Sequence, residues 1–143
     1  MSRPRTLCLD LGRKRVGLAV SDELGITAQG LPTLAIRGLD DLLRQLTPIV
    51  AEYRIADIVL GLPQKLDGSD TDLTSFVRQA KEKLEARFGL PVRLYDERLT
   101  SKIAQQAVHD MGHKLKGRKQ ALDRIAATII LTDYLSQHGT KGA

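Results

Sequence analysis

The spacing of short apolar segments at the start of the chain restricts its fold more than any other feature. Residues 5–10 and 15–21 each have the length and composition of a buried strand. The turn Gly12-Arg13-Lys14 between them is short enough for a hairpin, so we expect the two strands to be antiparallel. A third, weaker strand is predicted within residues 26–36, where glycine and proline interrupt the apolar pattern.

The elements predicted after these strands alternate between helix and strand. They are a helix at residues 40–53, a strand at 57–62, a helix at 71–87, a strand at 91–95, and helices at 100–111 and 120–137. Asp40 is the predicted cap of the first helix, and Pro48 is expected to kink that helix or end it. This order indicates an α/β fold: a mixed five-stranded sheet, three antiparallel strands then two parallel, flanked by helices on both faces. Residues 1–143 are expected to form one domain, with 138–143 as a frayed tail.

Positive charge is concentrated in two places, which predicts contacts with a polyanion. The chain has 22 Lys and Arg against 17 Asp and Glu, a formal net charge of +5. The two clusters are Arg13, Lys14 and Arg15 in the hairpin turn, and Lys114, Lys116, Arg118 and Lys119 in a predicted loop. A solvated surface loop is the alternative interpretation of either cluster. Only 3% of the residues are aromatic, so we expect contacts with phosphates and helix shape rather than base stacking.

The sequence also argues against several classes of protein. Cys8 is the only cysteine, so neither a disulfide within the chain nor a cysteine-based zinc site is expected. The first apolar run is interrupted by Asp10, which argues against a signal peptide, and no stretch is long enough to cross a membrane. We therefore expect a cytoplasmic protein that does not associate with membranes.

Three carboxylates, Asp10, Glu97 and Asp123, stand where the pattern favours apolar residues or strand ends. A carboxylate is costly to bury, so each needs a cation, a hydrogen-bond donor or a metal ion as partner. If the fold brings the three together, their mutual repulsion favours a divalent metal. Each also has a simpler interpretation: Asp10 as a turn residue, Glu97 as part of a surface charge cluster, and Asp123 as a first-turn acid favoured by the helix dipole.

The last predicted helix directs Asp123 toward its apolar side. At 100° per residue, Ala126, Ala127, Ile130 and Tyr134 fall within roughly 60° of Asp123, near the middle of a broad apolar arc. Magnesium prefers a few carboxylates together with waters and phosphate oxygens, and two such ions can assist one in-line displacement. Three acids from distant parts of the chain therefore predict metal-dependent cleavage of a phosphodiester.

Four blocks of this sequence match those of a known family in the same order, and together they extend over nearly the whole chain. They are LDLGRKRVGLAVSD at residues 9–22, IVLGLP at 58–63 with DGS at 67–69, DERLTS at 96–101, and DRIAA at 123–127. In order and spacing these blocks closely resemble the YqgF family of pre-16S rRNA nucleases, also described as Holliday junction resolvase-like proteins. The resemblance implies an RNase H-like fold.

The resemblance also implies roles for particular residues. Asp10, Glu97 and Asp123 match the family's proposed catalytic acids, and they would bind Mg²⁺ or Mn²⁺ in a two-metal-ion hydrolysis. The residues that would hold the nucleic-acid backbone are Arg13, Lys14, Arg15, Arg98, Thr100, Lys114, Lys116, Arg118 and Lys119. Arg98 or Thr100 would alternatively orient Glu97. The expected partner is pre-16S rRNA, free or within a ribosomal particle, and the expected state is a monomer or a weak homodimer.

Three other functions remain open at this point. The same chemistry would suit a resolvase that cuts branched DNA, and resolvases act as symmetric dimers. A module that binds nucleic acid without cleaving it is a second alternative, which the presence of all three acids disfavours. The third is an actin-like ATPase, because Asp-x-Gly after a first strand occurs there too, but the chain is too short for the two lobes of such a protein.

Overall fold

The first three strands form an antiparallel meander, as their sequence predicts. The computed structural model describes residues 4–63, 71–96 and 119–139, and within the last range the side chains of 124–137. Strand β1 (Arg5–Leu11) pairs with β2 (Arg15–Ser21), and β2 pairs with β3 (Ala28–Ala35). Both pairings are antiparallel, so the predicted hairpin is confirmed.

Two parallel strands complete the sheet on the other side of β1. Strand β4 (Ile55–Leu62) pairs with β1, and β5 (Val92–Asp96) pairs with β4. The described residues thus form a five-stranded sheet in the order β3-β2-β1-β4-β5. The number and the directions of the strands are those of the predicted mixed sheet, and the structure adds that β4 lies next to β1.

The described helices are α1 (Leu39–Glu52), α2 (Asp72–Phe88) and α3 (Lys119–Tyr134), and a π-helical turn, Leu135–Gly139, continues α3. None of these described helices is both long and apolar enough to cross a membrane. The helix predicted at residues 100–111 lies outside the described residues.

The predicted cap of α1 is wrong, and so is the predicted end of the helix at Pro48, whereas a kink at Pro48 stays a prediction. Its N-cap is Gly38, and Asp40 lies in the first turn, where its carboxylate is 3.5 Å from the ammonium group of Lys83. Gly38 has a φ of 122°, a conformation that strongly favours glycine, and the Asp41 carboxylate in the first turn accepts the backbone N–H of Arg37 just before it. Pro48 does not end the helix, because α1 continues to Glu52 with its apolar side packed on the sheet.

Helix α2 is tied to the end of β4. The hydroxyl of its N-cap, Thr71, accepts the backbone N–H of Thr74, and the hydroxyl of Thr74 in turn accepts the backbone N–H of Thr71. The buried Thr74 hydroxyl also donates a hydrogen bond to the carbonyl of Pro63, the residue after β4. The start of α2 is thereby held at the carboxyl edge of the parallel strands.

The two faces of the sheet pack against different helices. Alternation along β1 directs Leu7, Leu9 and Leu11 to one face, where they pack with residues of α1 and α2. Cys8 points to the opposite face and packs with Ala127 and other residues of α3. We refer to these as the α1/α2 face and the α3 face. The prediction of helices on both faces is confirmed.

Candidate functional site

Asp10 lies at the carboxyl edge of the parallel part of the sheet. Strands β1, β4 and β5 run in the same direction, so their carboxyl ends meet at one edge, where ligands commonly bind in α/β folds. Asp96, the last residue of β5, is paired with Leu62 of β4 at that edge. Glu97 follows Asp96 in the sequence and lies outside the described residues.

The neighbours of Asp10 across the sheet are glycines, which place no side chain beside its carboxylate. Asp10 shares the α3 face with Cys8, two residues earlier, and is half-buried. Its partner in β2 is Gly17. On the β4 side, Gly61 follows Leu60, the partner of Leu9. Neither glycine has a side chain that could cover the carboxylate, so a ligand can approach it.

A pocket of about 290 Å³ opens beside Asp10 and is lined by the hairpin turn. Among the described residues its walls are formed by Asp10, Leu11, Gly12, Arg13, Lys14 and Arg15. The N–H of Gly12 donates a 2.8 Å hydrogen bond to the carbonyl of Arg15. A Cβ atom at Gly12 would lie 2.8 Å from that same carbonyl oxygen, so this turn excludes any larger residue.

The three cations of the hairpin turn do not have equal surroundings. The guanidinium of Arg13 lies 5.1 Å above the ring centroid of Phe76, and its Nη2 donates a 3.3 Å hydrogen bond to the carbonyl of Asp72. Arg13 therefore packs the hairpin against α2. Lys14 is exposed and Arg15 is half-buried, and both line the pocket.

Tyr95 forms part of the α3 face on β5, which is separated by β4 from the strand that carries Asp10. It is paired with Gly61 in the sheet, and its hydroxyl accepts a 3.1 Å hydrogen bond from Gln137. Burial raises the pKa of Tyr95 above the ordinary 10.0, and the nearby Asp133 carboxylate raises this pKa further. The phenol therefore stays neutral at physiological pH.

The backbone of Asp123 lies in α3, as predicted. Of the arc expected to surround it, Ala127, Ile130 and Tyr134 are buried in the α3 face, and Ala126 is half-buried. The Asp123 side chain is outside the described part. Among the described residues no three His, Cys, Asp or Glu side chains form a possible metal site, and Asp10 is the only one of the three predicted acids whose side chain belongs to them.

The other predicted contacts fall on parts of the chain that the structure does not describe. Outside the described residues lie Arg98, Thr100, Lys114, Lys116 and Arg118, and for Lys119 only the backbone is described. These residues stay predictions. Gly17, which leaves the space beside Asp10, was not singled out from the sequence, although it belongs to the block that carries Asp10.

A family model described as RuvX, Holliday junction resolvase, matches residues 4–137 of the chain. Curated relatives match over nearly the same length. A protein of Koribacter versatilis named "Putative pre-16S rRNA nuclease" is 42% identical over 94% of this chain and 88% of its own. A protein of the same name from Moorella thermoacetica is 40% identical over 96% of this chain and 99% of its own.

Solved structures with a similar fold include two resolvases. RuvC of Thermus thermophilus, in complex with a Holliday junction substrate, has a TM-score of 0.61 and 14% identity, covering 96% of this chain and 98% of its own. The fowlpox virus resolvase, in complex with substrate Holliday junction DNA, has a TM-score of 0.53 and 14% identity, covering 93% and 97%. At these identities the similarity shows a common fold, and it confirms the predicted RNase H-like class.

Proposed function

The chain belongs to the family described as RuvX, Holliday junction resolvase, and we propose that it is a metal-dependent nuclease that hydrolyses phosphodiester bonds. The observation that carries the proposal is the placement of Asp10. This carboxylate lies at the carboxyl edge of β1, between strands that present glycines beside it, and it lines a pocket with three cations. A carboxylate beside cations suits a phosphate substrate that is bound together with a metal ion.

The preferred substrate in this proposal is the 5′ end of pre-16S rRNA. The curated relatives that support it cover almost the whole chain at 40–42% identity, and their name refers to that RNA. The second candidate is a four-way DNA junction. It is supported by the description of the family and by the junctions bound to the two resolvases of similar fold.

The described part of the site fits a hard divalent cation. Mg²⁺ and Mn²⁺ prefer carboxylate, carbonyl and water oxygens, and Asp10 presents a half-buried carboxylate to an open pocket. We propose that Asp10, Glu97 and Asp123 together hold the metal. When bound, two such ions would supply activation of the attacking water and stabilisation of the leaving oxygen.

The residues of the hairpin turn would hold and orient the substrate. Lys14, which is exposed at the rim of the pocket, is proposed to neutralise a phosphate, and Arg15 a second one. Arg13 is proposed to keep the turn rigid through its contacts with α2, so that Asp10 and the two cations keep their spacing. Contacts with backbone phosphates do not depend on the base sequence, so the choice of substrate would depend on the shape of the nucleic acid.

A cleavage assay tests the proposal. Parent and Asp10→Asn would be incubated with Mg²⁺, Mn²⁺ or chelator and with three labelled substrates: a pre-16S rRNA fragment that retains its 5′ leader, a four-way junction, and a plain duplex. We expect the parent to cut the rRNA fragment fastest and only with metal, and Asp10→Asn to be inactive.

The matched control is Asp40→Asn, which makes the same change of charge on the exposed first turn of α1. Undiminished metal-dependent cleavage by Asp10→Asn would contradict the mechanism. Faster cutting of the junction than of the rRNA fragment would favour the second substrate.

A further inference from the structure

Arg124 joins the first turns of α3 to the outer strand of the described sheet. Its Nε donates a 3.1 Å hydrogen bond to the backbone carbonyl of Leu31 in β3, a residue 93 positions earlier in the chain. The hydrogen bond is partly buried, although the Arg124 side chain as a whole is exposed. The guanidinium is therefore bound to the backbone of β3 and does not extend freely into solvent.

Gly30 makes this contact possible. A Cβ atom at position 30 would lie 2.3 Å from Cγ of Arg124, 2.7 Å from its Cδ and 3.1 Å from the hydroxyl of Thr128. The aliphatic part of Arg124 thus lies flat against the backbone of β3. The φ angle of Gly30 is not positive, so this position requires the absence of a side chain and not unusual backbone freedom.

The contact is directional, whereas the next described turns of α3 are held to the sheet by apolar packing. Ala127 and Leu131 are buried against Cys8, Ala19 and Val59. Such apolar packing resists separation of the helix from the sheet, but it resists sliding or rotation less, because it has no preferred direction. A hydrogen bond to one carbonyl selects one position of the helix along the sheet.

We propose that Arg124 is a positioning residue that sets where the start of α3, and with it the neighbouring Asp123, lies relative to Asp10. The inference rests on the proposed function, in which these two acids share a metal. Asp123 directly precedes Arg124, so a shift of this turn displaces both residues together. Misplacement of a reacting group by about 1 Å can reduce a rate by about a hundredfold.

The competing assignment is a direct contact of Arg124 with a phosphate of the substrate. The two assignments differ in what a conservative substitution does. Lysine keeps the charge but has no Nε–H at the position that reaches Leu31. If Arg124 positions the helix, both Arg124→Lys and Arg124→Gln lower kcat by about ten- to a hundredfold and leave KM and the salt dependence of binding unchanged.

If Arg124 instead binds a phosphate, Arg124→Lys keeps most of the activity, whereas Arg124→Gln raises KM. Arg124→Gln then also reduces the salt slope, the slope of log binding constant against log salt concentration, by about one. That result would overturn the inference. The control is Arg44→Gln, the same change of charge on the exposed side of α1, which is expected to leave kcat unchanged.

A double-mutant cycle tests the contact itself. Gly30→Ala forces Arg124 away from the strand and is expected to lower kcat and the melting temperature. Arg124→Ala removes Cγ and Cδ, the two nearest atoms that the new methyl group would meet, and leaves only the 3.1 Å approach to the Thr128 hydroxyl. Gly30→Ala added to Arg124→Ala should therefore change either quantity much less than it does in the parent. Equal effects of Gly30→Ala in both backgrounds would show that the two residues are not coupled and would overturn the inference.

The two proposals fail in different ways. Cleavage that survives Asp10→Asn contradicts the nuclease mechanism, and the Gly30 and Arg124 cycle, measured by thermal unfolding, still reports the contact. Cleavage that is lost in Asp10→Asn but has the parent's kcat in Arg124→Gln contradicts only the positioning role.

Discussion

The two faces of the sheet are packed in different ways, and we expect substitutions on one face to affect mainly stability and those on the other to affect activity as well. The α1/α2 face buries large branched side chains, among them Leu7, Leu9, Leu60 and Leu84. The α3 face buries small residues of the strands, Cys8, Ala19 and Val59, together with Tyr95. Large side chains contribute most of the apolar area removed from water, whereas small ones let the helix approach the sheet closely.

The α3 face is also joined by directional contacts between sheet and helix. Arg93 donates a hydrogen bond to the hydroxyl of Tyr134, Gln137 donates one to Tyr95, and Arg124 donates one to the carbonyl of Leu31. The rings of Tyr95 and Tyr134 meet edge to face with centroids 6.3 Å apart. Asp10 lies on this face. The face that carries the candidate site thus holds α3 in place with hydrogen bonds as well as with small buried residues.

The largest expected effects come from one substitution on each face. Leu60→Ala on the α1/α2 face should lower the free energy of unfolding by about 2–5 kcal/mol, because it leaves a cavity in the core, while kcat of the folded fraction stays near the parent value. Asp10→Asn should reduce kcat by at least about a hundredfold with little change in stability, since it removes a proposed metal ligand. Urea unfolding measures the free energy of unfolding, and cleavage kinetics measure kcat, in both variants. A loss of both properties in both variants would remove the separation between the faces.

A smaller effect is expected from adding volume under α3. Ala19→Val should cost about 1–3 kcal/mol of stability, because Ala19 is fully buried against the helix, and should also lower kcat by displacing α3. The matched variant is Val20→Ala, the next residue of β2, which faces α1 and α2. It should lower stability and leave kcat unchanged. An equal loss of kcat in both variants would indicate that kcat falls with any loss of stability, whichever face is changed.

The hairpin turn offers a comparison of neighbouring cations. Lys14→Ala should weaken substrate binding several-fold and reduce the salt slope by about one, because Lys14 is exposed at the pocket. Arg13→Gln should leave the salt slope unchanged and lower the melting temperature, because the Arg13 guanidinium packs on Phe76. Filter-binding titrations at several salt concentrations distinguish them. A reduced slope for Arg13→Gln would assign Arg13 to the substrate.

The smallest expected effect concerns Tyr95. Its raised pKa means that the folded state holds the phenolic proton more tightly than the unfolded state does. The corresponding stabilisation is fully present below the ordinary pKa of 10.0 and is lost as the pH rises through the folded value. Tyr95→Phe should therefore remove a late component from the alkaline ultraviolet titration and flatten the loss of stability above pH 10. An unchanged titration curve would contradict the assignment.

Much of the fold could be predicted because the signals that specify it are local. The strands at 5–11, 15–21 and 92–96 follow from short apolar runs and the turns beside them, and each lies within one or two residues of its predicted bounds. The cap of α1 could not be predicted in this way. Gly38 starts the helix through its backbone conformation, which a search for a polar cap does not detect.

The sequence by itself determined the class of fold, the order of the strands along the chain and the choice of Asp10 as a candidate catalytic residue. Apolar periodicity, turn residues and the motif around Asp10 are all properties of residues that are neighbours in the sequence. The tertiary structure decided which polar residues hold the molecule together. Arg13 meets Asp72 across 59 positions, and Arg124 meets Leu31 across 93. Contacts between such distant residues depend on how the helices pack on the sheet. The local sequence therefore does not reveal that Gly30 must lack a side chain to make room for Arg124.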